Sequence, residues 1–515
     1  MMNLVAWLNL RRLGFVVIFL VFIENMVLGL YDPDYFWHLR TGQYIFEQHA
    51  LPAGDIFSYT NLGKPWVLHE WLSEILLYCI HTLLGPLGVK VIVSLMIITT
   101  LVIMYKTANQ ILNKPNVAFT VILLFFVPMI VSIGPRPQMV SMWMFAFFMH
   151  ALITFKHAHT TRALWWLPPL MIVWTNAHGG YMIGIALLLI FVTCEWLTQI
   201  ARQNHDVADK NRLKILSWVT VATILASLIN PYFIQHWLYP FDVMNMKVSQ
   251  GLIIEWQSPN FHSIPFQWYL AVLLVTMTAA MYRKIRPDLT EILVTLLFVT
   301  EGFVAVRHIN FAIIALIPFA AKTITQLSFA RLLADKRVKR LCSGYQKFAH
   351  NSNDMGKMEF MFNWLLLGVT VVGLTLYYSP MHSADKEKMN TMVPIKATEF
   401  IINAGINGRM FTTYHYGGYL IQSLYPTQKV FIDGRADMYG DDFIKEYITI
   451  SFGAPGWQQK FEKYKIDYLV MARNTPLIEL LKAQGDFKLV YEDEINAILL
   501  KDNEKFAKII ARYGR

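Results

Sequence analysis

The 515-residue chain holds only three cysteines, Cys79, Cys194 and Cys342, far apart from one another. That spacing excludes a disulfide framework and a cysteine-based metal centre. Charged residues are also scarce, at 16% against 55% hydrophobic residues, which excludes an ordinary soluble composition. There is no phosphate-binding G-x-x-x-x-G-K-[ST] loop, no dinucleotide G-x-G-x-x-G fingerprint and no G-x-S-x-G elbow. The usual devices for drawing on a cytosolic nucleotide, or for serine-based acyl transfer, are therefore excluded. No internal repeat is evident, which counts against an inverted-repeat transporter.

What the chain has instead is apolar length. Its mean hydropathy is +0.39, and apolar runs recur from residue 14 to residue 378. Each is roughly 18 to 20 residues, enough at about 1.5 Å per residue to cross a hydrocarbon core of about 30 Å. Spans are expected near residues 13–31, 87–105, 117–134, 138–155, 163–177, 181–200, 214–230, 266–282, 288–305, 309–325 and 361–378. The first is not a cleavable signal, because an acidic pair and no small-residue cleavage site follows it. With the N-terminus in the cytoplasm, the inner loops hold twenty lysines and arginines and the outer loops before residue 379 hold five. The positive-inside rule thus fixes the orientation. It also explains much of the formal +10 charge, so that no nucleic-acid partner is implied. Residues 70–84 read as an amphipathic helix on the outer face, which keeps every basic loop inside; paired with a second short span they would raise eleven spans to thirteen.

The unusual polar residues gather on the outer side. Asp32 and Asp34 follow the first span directly, ahead of Tyr35-Phe36-Trp37-His38, and His69 and Glu70 lie in the same loop, residues 32–86. Arg136 sits in Gly134-Pro135-Arg136-Pro137, whose prolines rule out continuous helix. Asn176, His178 and Gly179-Gly180 form the next turn; Asn230-Pro231-Tyr232 and Glu255-Trp256-Gln257 bracket the fourth connection; Glu301, Arg307 and His308 mark the fifth. Charge beside the bilayer is costly unless compensated, so such a cluster marks a functional site by default. Each member also has a plainer reading. His178 and His308 fit interfacial histidines, Arg136 and Arg307 fit arginines reaching lipid headgroups, and Gly179-Gly180 fits a simple turn. Glu24, within the first span, fits an internal partner for the bundle.

Residues 379–515 are far less apolar and read as a soluble outer α/β domain after a 1–378 membrane domain. Strands are expected at Lys429–Asp433, Tyr468–Ala472, Phe487–Asp493 and Ala497–Leu500. Helices are expected at Pro394–Asn403, Trp457–Tyr464, Pro476–Gln484 and Glu504–Arg512. Within this domain, Asp433-Gly434-Arg435 reads as a binding loop or as a turn closed by an Asp433–Arg435 or Asp437–Arg435 ion pair.

A single span, then Asp-x-Asp opening a large first outer loop, about a dozen spans and a soluble C-terminal outer domain resembles the C-type glycosyltransferase superfold. Bacterial members share Asp32-Pro33-Asp34-Tyr35-Phe36-Trp37-His38-Leu39, His69-Glu70-Trp71-Leu72, Arg136-Pro137-Gln138, Glu255-Trp256-Gln257-Ser258-Pro259 and the Phe431-to-Arg435 run. The Trp-Trp-Asp motif of oligosaccharyltransferases is missing, since Trp165-Trp166 is followed by Leu167. The resemblance implies an inverting transfer of a sugar from a polyprenyl-phosphate donor to a glycan, lipid or protein acceptor at the outer face of a bacterial cytoplasmic membrane. It implies Asp34 as base with Asp32 as its partner, the two also being candidate ligands for Mg²⁺ or Mn²⁺. Arg136 and Arg307 would hold the carrier phosphate. His38, Glu70, His178, Glu255, His308, Asp433 and Arg435 would contact sugar or acceptor. A lipid-linked glycan transporter and a non-catalytic membrane assembly or receptor protein are the alternatives.

Overall fold

The computed structural model describes residues 32–202, 206–282, 284–325 and 392–514. The expected spans at 13–31 and 361–378, Glu24, Cys342 and the 378/379 domain boundary lie outside those residues.

Helix α1, Pro33–Gln48, starts where Asp32 accepts a hydrogen bond from the Asp34 N–H at 2.9 Å and Pro33 supplies the first helical residue. Both are strong initiators, the first by satisfying an orphan amide and the second by fixing φ. Helix α2, Trp71–Leu112, is broken at Gly85 (φ 66°, ψ −169°), which Pro86 follows. Only glycine takes that backbone without strain, and proline cannot donate across the break. Trp71–Leu84 is therefore a helix of its own, separate from the apolar stretch expected at 87–105. It packs closely on α1: a Cβ at Gly42 would run into the Glu74 carbonyl.

The chain continues as α3 Pro115–Phe126, α4 Gln138–His157, α5 Leu167–Ala177, α6 Tyr181–Ala201, α7 Val207–Ala226, α8 Ile234–Met244, α9 Lys247–Leu252, α10 Ile264–Tyr282, α11 Leu289–Val304 and α12 Ile309–Thr325. Every expected span that falls among the described residues coincides with helix. Among the described residues four helices, α2, α4, α6 and α10, are long and apolar enough by length and composition to cross a membrane. Prolines at the first turns of α3, the 127–132 turn and α5 divide the other apolar runs into shorter pieces. At the end of α4 remote from Arg136, Lys156 pairs with Glu195 of α6 at 2.6 Å and with Asp288 at 2.9 Å. This gives Glu195 a structural role.

After residue 391 the chain forms a four-stranded sheet in the order β1-β2-β4-β3, with β1 Met410–Thr412, β2 Tyr468–Ala472, β3 Phe487–Glu492 and β4 Asn496–Lys501. β1 lies parallel to β2, and the other two pairings are antiparallel. The expected strand at Lys429–Asp433 is not part of this sheet. Val430 bridges Ser58 in parallel, its N–H donating to the Phe57 carbonyl at 3.0 Å, so that backbone is partnered by the first loop instead. The sheet's remaining strand is β1, only three residues long.

Two apolar cores result. One runs through the helical bundle. The other joins the sheet and its helices to Trp37, Phe57, Trp66 and Leu68, so the loop carrying Asp34 is built into the second core.

Candidate active site

Asp32 and Asp34 flank the start of α1, where the helix dipole favours negative charge. The Pro135 and Pro137 turn aims Arg136 at both: its Nε is ion-paired with Asp32, its Nη2 lies 3.6 Å from Asp34, and its Nη1 donates to Glu255 at 2.9 Å. Glu255 is shared, for Arg307 stands 3.8 Å from its other oxygen while its guanidinium lies 4.3 Å over the Trp256 ring. Two arginines thus converge on one carboxylate. Asp34 also accepts a hydrogen bond from Trp37 Nε1 at 3.1 Å. Burial pushes the Asp34 carboxyl up to about 6, against the nearby His38 charge and that hydrogen bond. A carboxyl titrating there has the pKa that a proton acceptor needs near neutral pH. Asp32 and Asp34 thus both face the Arg136 guanidinium.

Behind Asp34 lies a buried histidine–glutamate cluster. Glu70 is approached by His69 Nε2 at 3.5 Å, His178 Nε2 at 3.5 Å and His38 Nε2 at 3.7 Å. Burial alone would lift its pKa, but these imidazoles, His69 foremost, hold it well below the usual carboxylate range. Glu70 in turn lifts His69 to about 9 in spite of burial. His178 differs. Its Nδ1 accepts from the Gly180 N–H at 3.0 Å and lies 2.6 Å from Ser141 Oγ, which itself accepts from Trp174 Nε1 at 2.7 Å. With Nδ1 committed as an acceptor, the neutral ring carries its proton on Nε2, facing Glu70, and burial pushes its pKa down to about 3. Gly180 has a packing reason as well, since a Cβ there would collide with Ser141 Oγ. His38 Nδ1 meets Glu74 at 2.9 Å.

These groups line one large cavity of about 1610 Å³. Its polar end carries Asp34, His38, Glu70, Arg136, His178, Glu255, Arg307 and His308, and its other walls include Val131, Met142, Ile183, Ile253, Leu297 and Phe298. His308 is paired with Glu301 at 3.0 Å. Asp32 and Asp433 do not line it.

The sheet unit closes the polar end. Gly434 lies so close that a Cβ would strike Asp34, and the Tyr414 hydroxyl holds the Gly434 carbonyl at 3.1 Å. Asp433 and Arg435, expected to contact ligand, are 0% and 1% exposed and bound to each other by a fork of 2.7 and 2.6 Å. Arg435 also pairs with Asp55 at 2.8 Å and lies 4.5 Å over the Trp66 ring. The anticipated Asp433–Arg435 pair is therefore present as a buried junction, and Asp437 instead accepts from Tyr239 at 2.6 Å. Asp433 is held inside this junction, whereas Arg435 also lines the cavity and its buried Nη1 has no hydrogen-bond partner. Sequence reasoning missed Glu74, Asp55 and Ser141. Only Asp55 left a local trace, an Asp-x-x-Ser turn whose carboxylate accepts from the Phe57 and Ser58 amides at 3.0 and 3.1 Å.

No family model and no curated protein matches the chain. Solved structures do. The Archaeoglobus fulgidus oligosaccharyltransferase AglB, in complex with an inhibitory peptide and a dolichol-phosphate, superposes with a TM-score of 0.56 at 10% identity, over 90% of this chain and 70% of that one. ArnT from Cupriavidus metallidurans, bound to undecaprenyl phosphate, gives 0.50 at 13% identity, over 94% and 98%. The apo form of the Archaeoglobus enzyme gives 0.50 at 11% identity over 86% of this chain, which spans 66% of that enzyme's length. The chain thus has a C-type glycosyltransferase-like fold.

Proposed function

We propose that this protein transfers a sugar from a polyprenyl-phosphate donor to an acceptor hydroxyl or amine at the face of the membrane that carries the sheet. The observation that carries the reading is the cavity itself, which is lined by a carboxylate and two converging arginines together with many apolar side chains. A donor with a charged phosphate between a sugar and an isoprenoid chain has that same combination of charged and apolar parts. The structural neighbours whose names include undecaprenyl phosphate and a dolichol-phosphate support it.

In this reading Asp34 accepts the acceptor's proton as the acceptor attacks the anomeric carbon from the side opposite the phosphate. The bond from that carbon to the phosphate oxygen breaks, and the carrier phosphate leaves with the bonding pair. Arg136 and Arg307 stabilise the charge that develops there, a role for which guanidinium forks suit phosphate oxygens. Glu255 marks where the two arginines converge, the place a phosphate would compete for. His178, with its Nε2 proton, is a neutral donor for a sugar or acceptor oxygen. His38 and Glu70 set the field around Asp34.

The arginines give the direct test. Arg136→Ala combined with Arg307→Ala is expected to slow transfer by about 100-fold, the scale for losing preorganised charge stabilisation. Both side chains are partly exposed, at 24% and 21%, so folding should be little changed. Arg136→Lys keeps the charge, loses the fork and should fall between. Turnover of a lipid-phosphate sugar by purified protein in detergent measures this, and an undiminished double variant removes the pair from the site.

The orientation has its own test. In a cysteine-free background, Gln257→Cys and Asp442→Cys should react with an impermeant thiol reagent added to intact cells, and His159→Cys should not. The reverse pattern inverts the topology and puts the cavity on the cytoplasmic side.

A further inference from the structure

We propose that His38, Glu70 and Glu74 form a binding site for one borderline divalent cation of the Mn²⁺ or Zn²⁺ class, separate from Asp32 and Asp34. One ligand atom from each of the three lies within 4.8 Å of the others, and all three residues are buried. The site is assembled by two helices. His38 comes from α1, and Glu70 and Glu74 stand one turn apart at the start of α2, on the same face. The bare Cα of Gly42 lets the two helices approach until Glu74 reaches the His38 ring.

A second observation points to a ligand. Glu74 is 0% exposed, and while one carboxylate oxygen meets His38 at 2.9 Å, its Oε2 has no hydrogen-bond partner. A fully buried carboxylate oxygen without a donor is costly, and a second buried carboxylate, Glu70, stands across the same imidazole at 3.7 Å. A cation between these groups satisfies both. One imidazole nitrogen and two carboxylates suit Mn²⁺ or Zn²⁺ better than Mg²⁺ or Ca²⁺, which take all-oxygen shells. A bound ion would draw the two glutamates inward to the bonds of about 2.0 to 2.2 Å such ions need. His69 beside Glu70 would steady that carboxylate, as outer partners do at metal sites, while the Gly42 contact sets the Glu74 backbone beneath it.

Because Trp37, next to His38, donates to Asp34, a bound ion would also stiffen the support of the proposed base. The ion site does not depend on sugar transfer, and its test reads binding alone. Purified full-length protein is stripped with chelator, equilibrated with Mn²⁺ and assayed for bound metal by elemental analysis and by the loss of the free-Mn²⁺ electron paramagnetic resonance signal. One equivalent is expected. Glu74→Gln and Glu70→Gln, both isosteric, should each weaken binding at least tenfold, while Asp34→Asn retains the full equivalent. Substoichiometric binding by the parent protein, binding undiminished in both glutamine variants, or loss of the ion in Asp34→Asn overturns the assignment.

Discussion

Asp34→Asn is expected to slow sugar transfer by at least about 100-fold, the lower end of what a positioned general base contributes. The substitution preserves shape and leaves an oxygen to accept from Trp37, but it removes the group that takes the acceptor's proton. The pH dependence separates this role from a purely structural one. With the Asp34 carboxyl lifted to about 6, the parental rate should fall as pH drops through that value, because the protonated acid cannot act as a base. The residual rate of Asp34→Asn should lack that limb. Since Asp34 stands partly exposed at the cavity wall, 28% by its side chain, the variant should fold normally. Parental rates in Asp34→Asn would mean that the carboxylate is not the base and would favour a transport or receptor role.

Arg435→Ala should have the largest effect on stability. It leaves Asp55 and Asp433, both no more than 1% exposed, as buried carboxylates without their shared cation. Removing one partner from such a group costs about 3 to 5 kcal/mol, because the remaining charge is stranded. At about 1.4 kcal/mol per tenfold, amide exchange in residues 55–66 and 430–439 should accelerate by roughly 100- to 1,000-fold or more if opening is local. Arg435→Lys, which keeps the charge and loses the planar fork, should be milder. Exchange rates unchanged in Arg435→Ala would show that the junction is held by the apolar contacts around Trp66 and Phe57 instead.

The parts of this arrangement that were legible in sequence are those written locally. Apolar length marked the helices, and the second aspartate of Asp-x-Asp, the Arg136 turn and Arg307 announced polar groups that the fold does gather at one cavity. Tyr468–Ala472 and Pro476–Gln484 are expected and occur with those bounds, because one is a continuous apolar run of strand length and the other a proline-started helix. The misplaced strand at Lys429–Asp433 has the right composition, but its backbone partners lie in the first loop, a pairing that no local pattern encodes. Glu74 was hidden for a similar reason. It sits at the edge of an apolar run, and its importance appears only when Gly42 lets one helix close on another. Asp433 and Arg435 were legible as a possible ion pair because they lie two residues apart, but the third partner, Asp55, comes from the distant first loop and no local pattern announces it.

The pairing of the first loop with the sheet also sets a timetable for the protein's birth. Arg40 donates to the carbonyl of Tyr425, 385 residues further along, and Lys64 to that of Tyr439, 375 residues along. A ribosome adding about 5 to 20 residues per second needs roughly 20 to 80 s to cover that distance. During that interval Asp34 has already been made while Gly434 and Tyr414, which wall it in, have not. A chain synthesised only as far as the membrane helices therefore holds Asp34 without Gly434 and Tyr414 beside it.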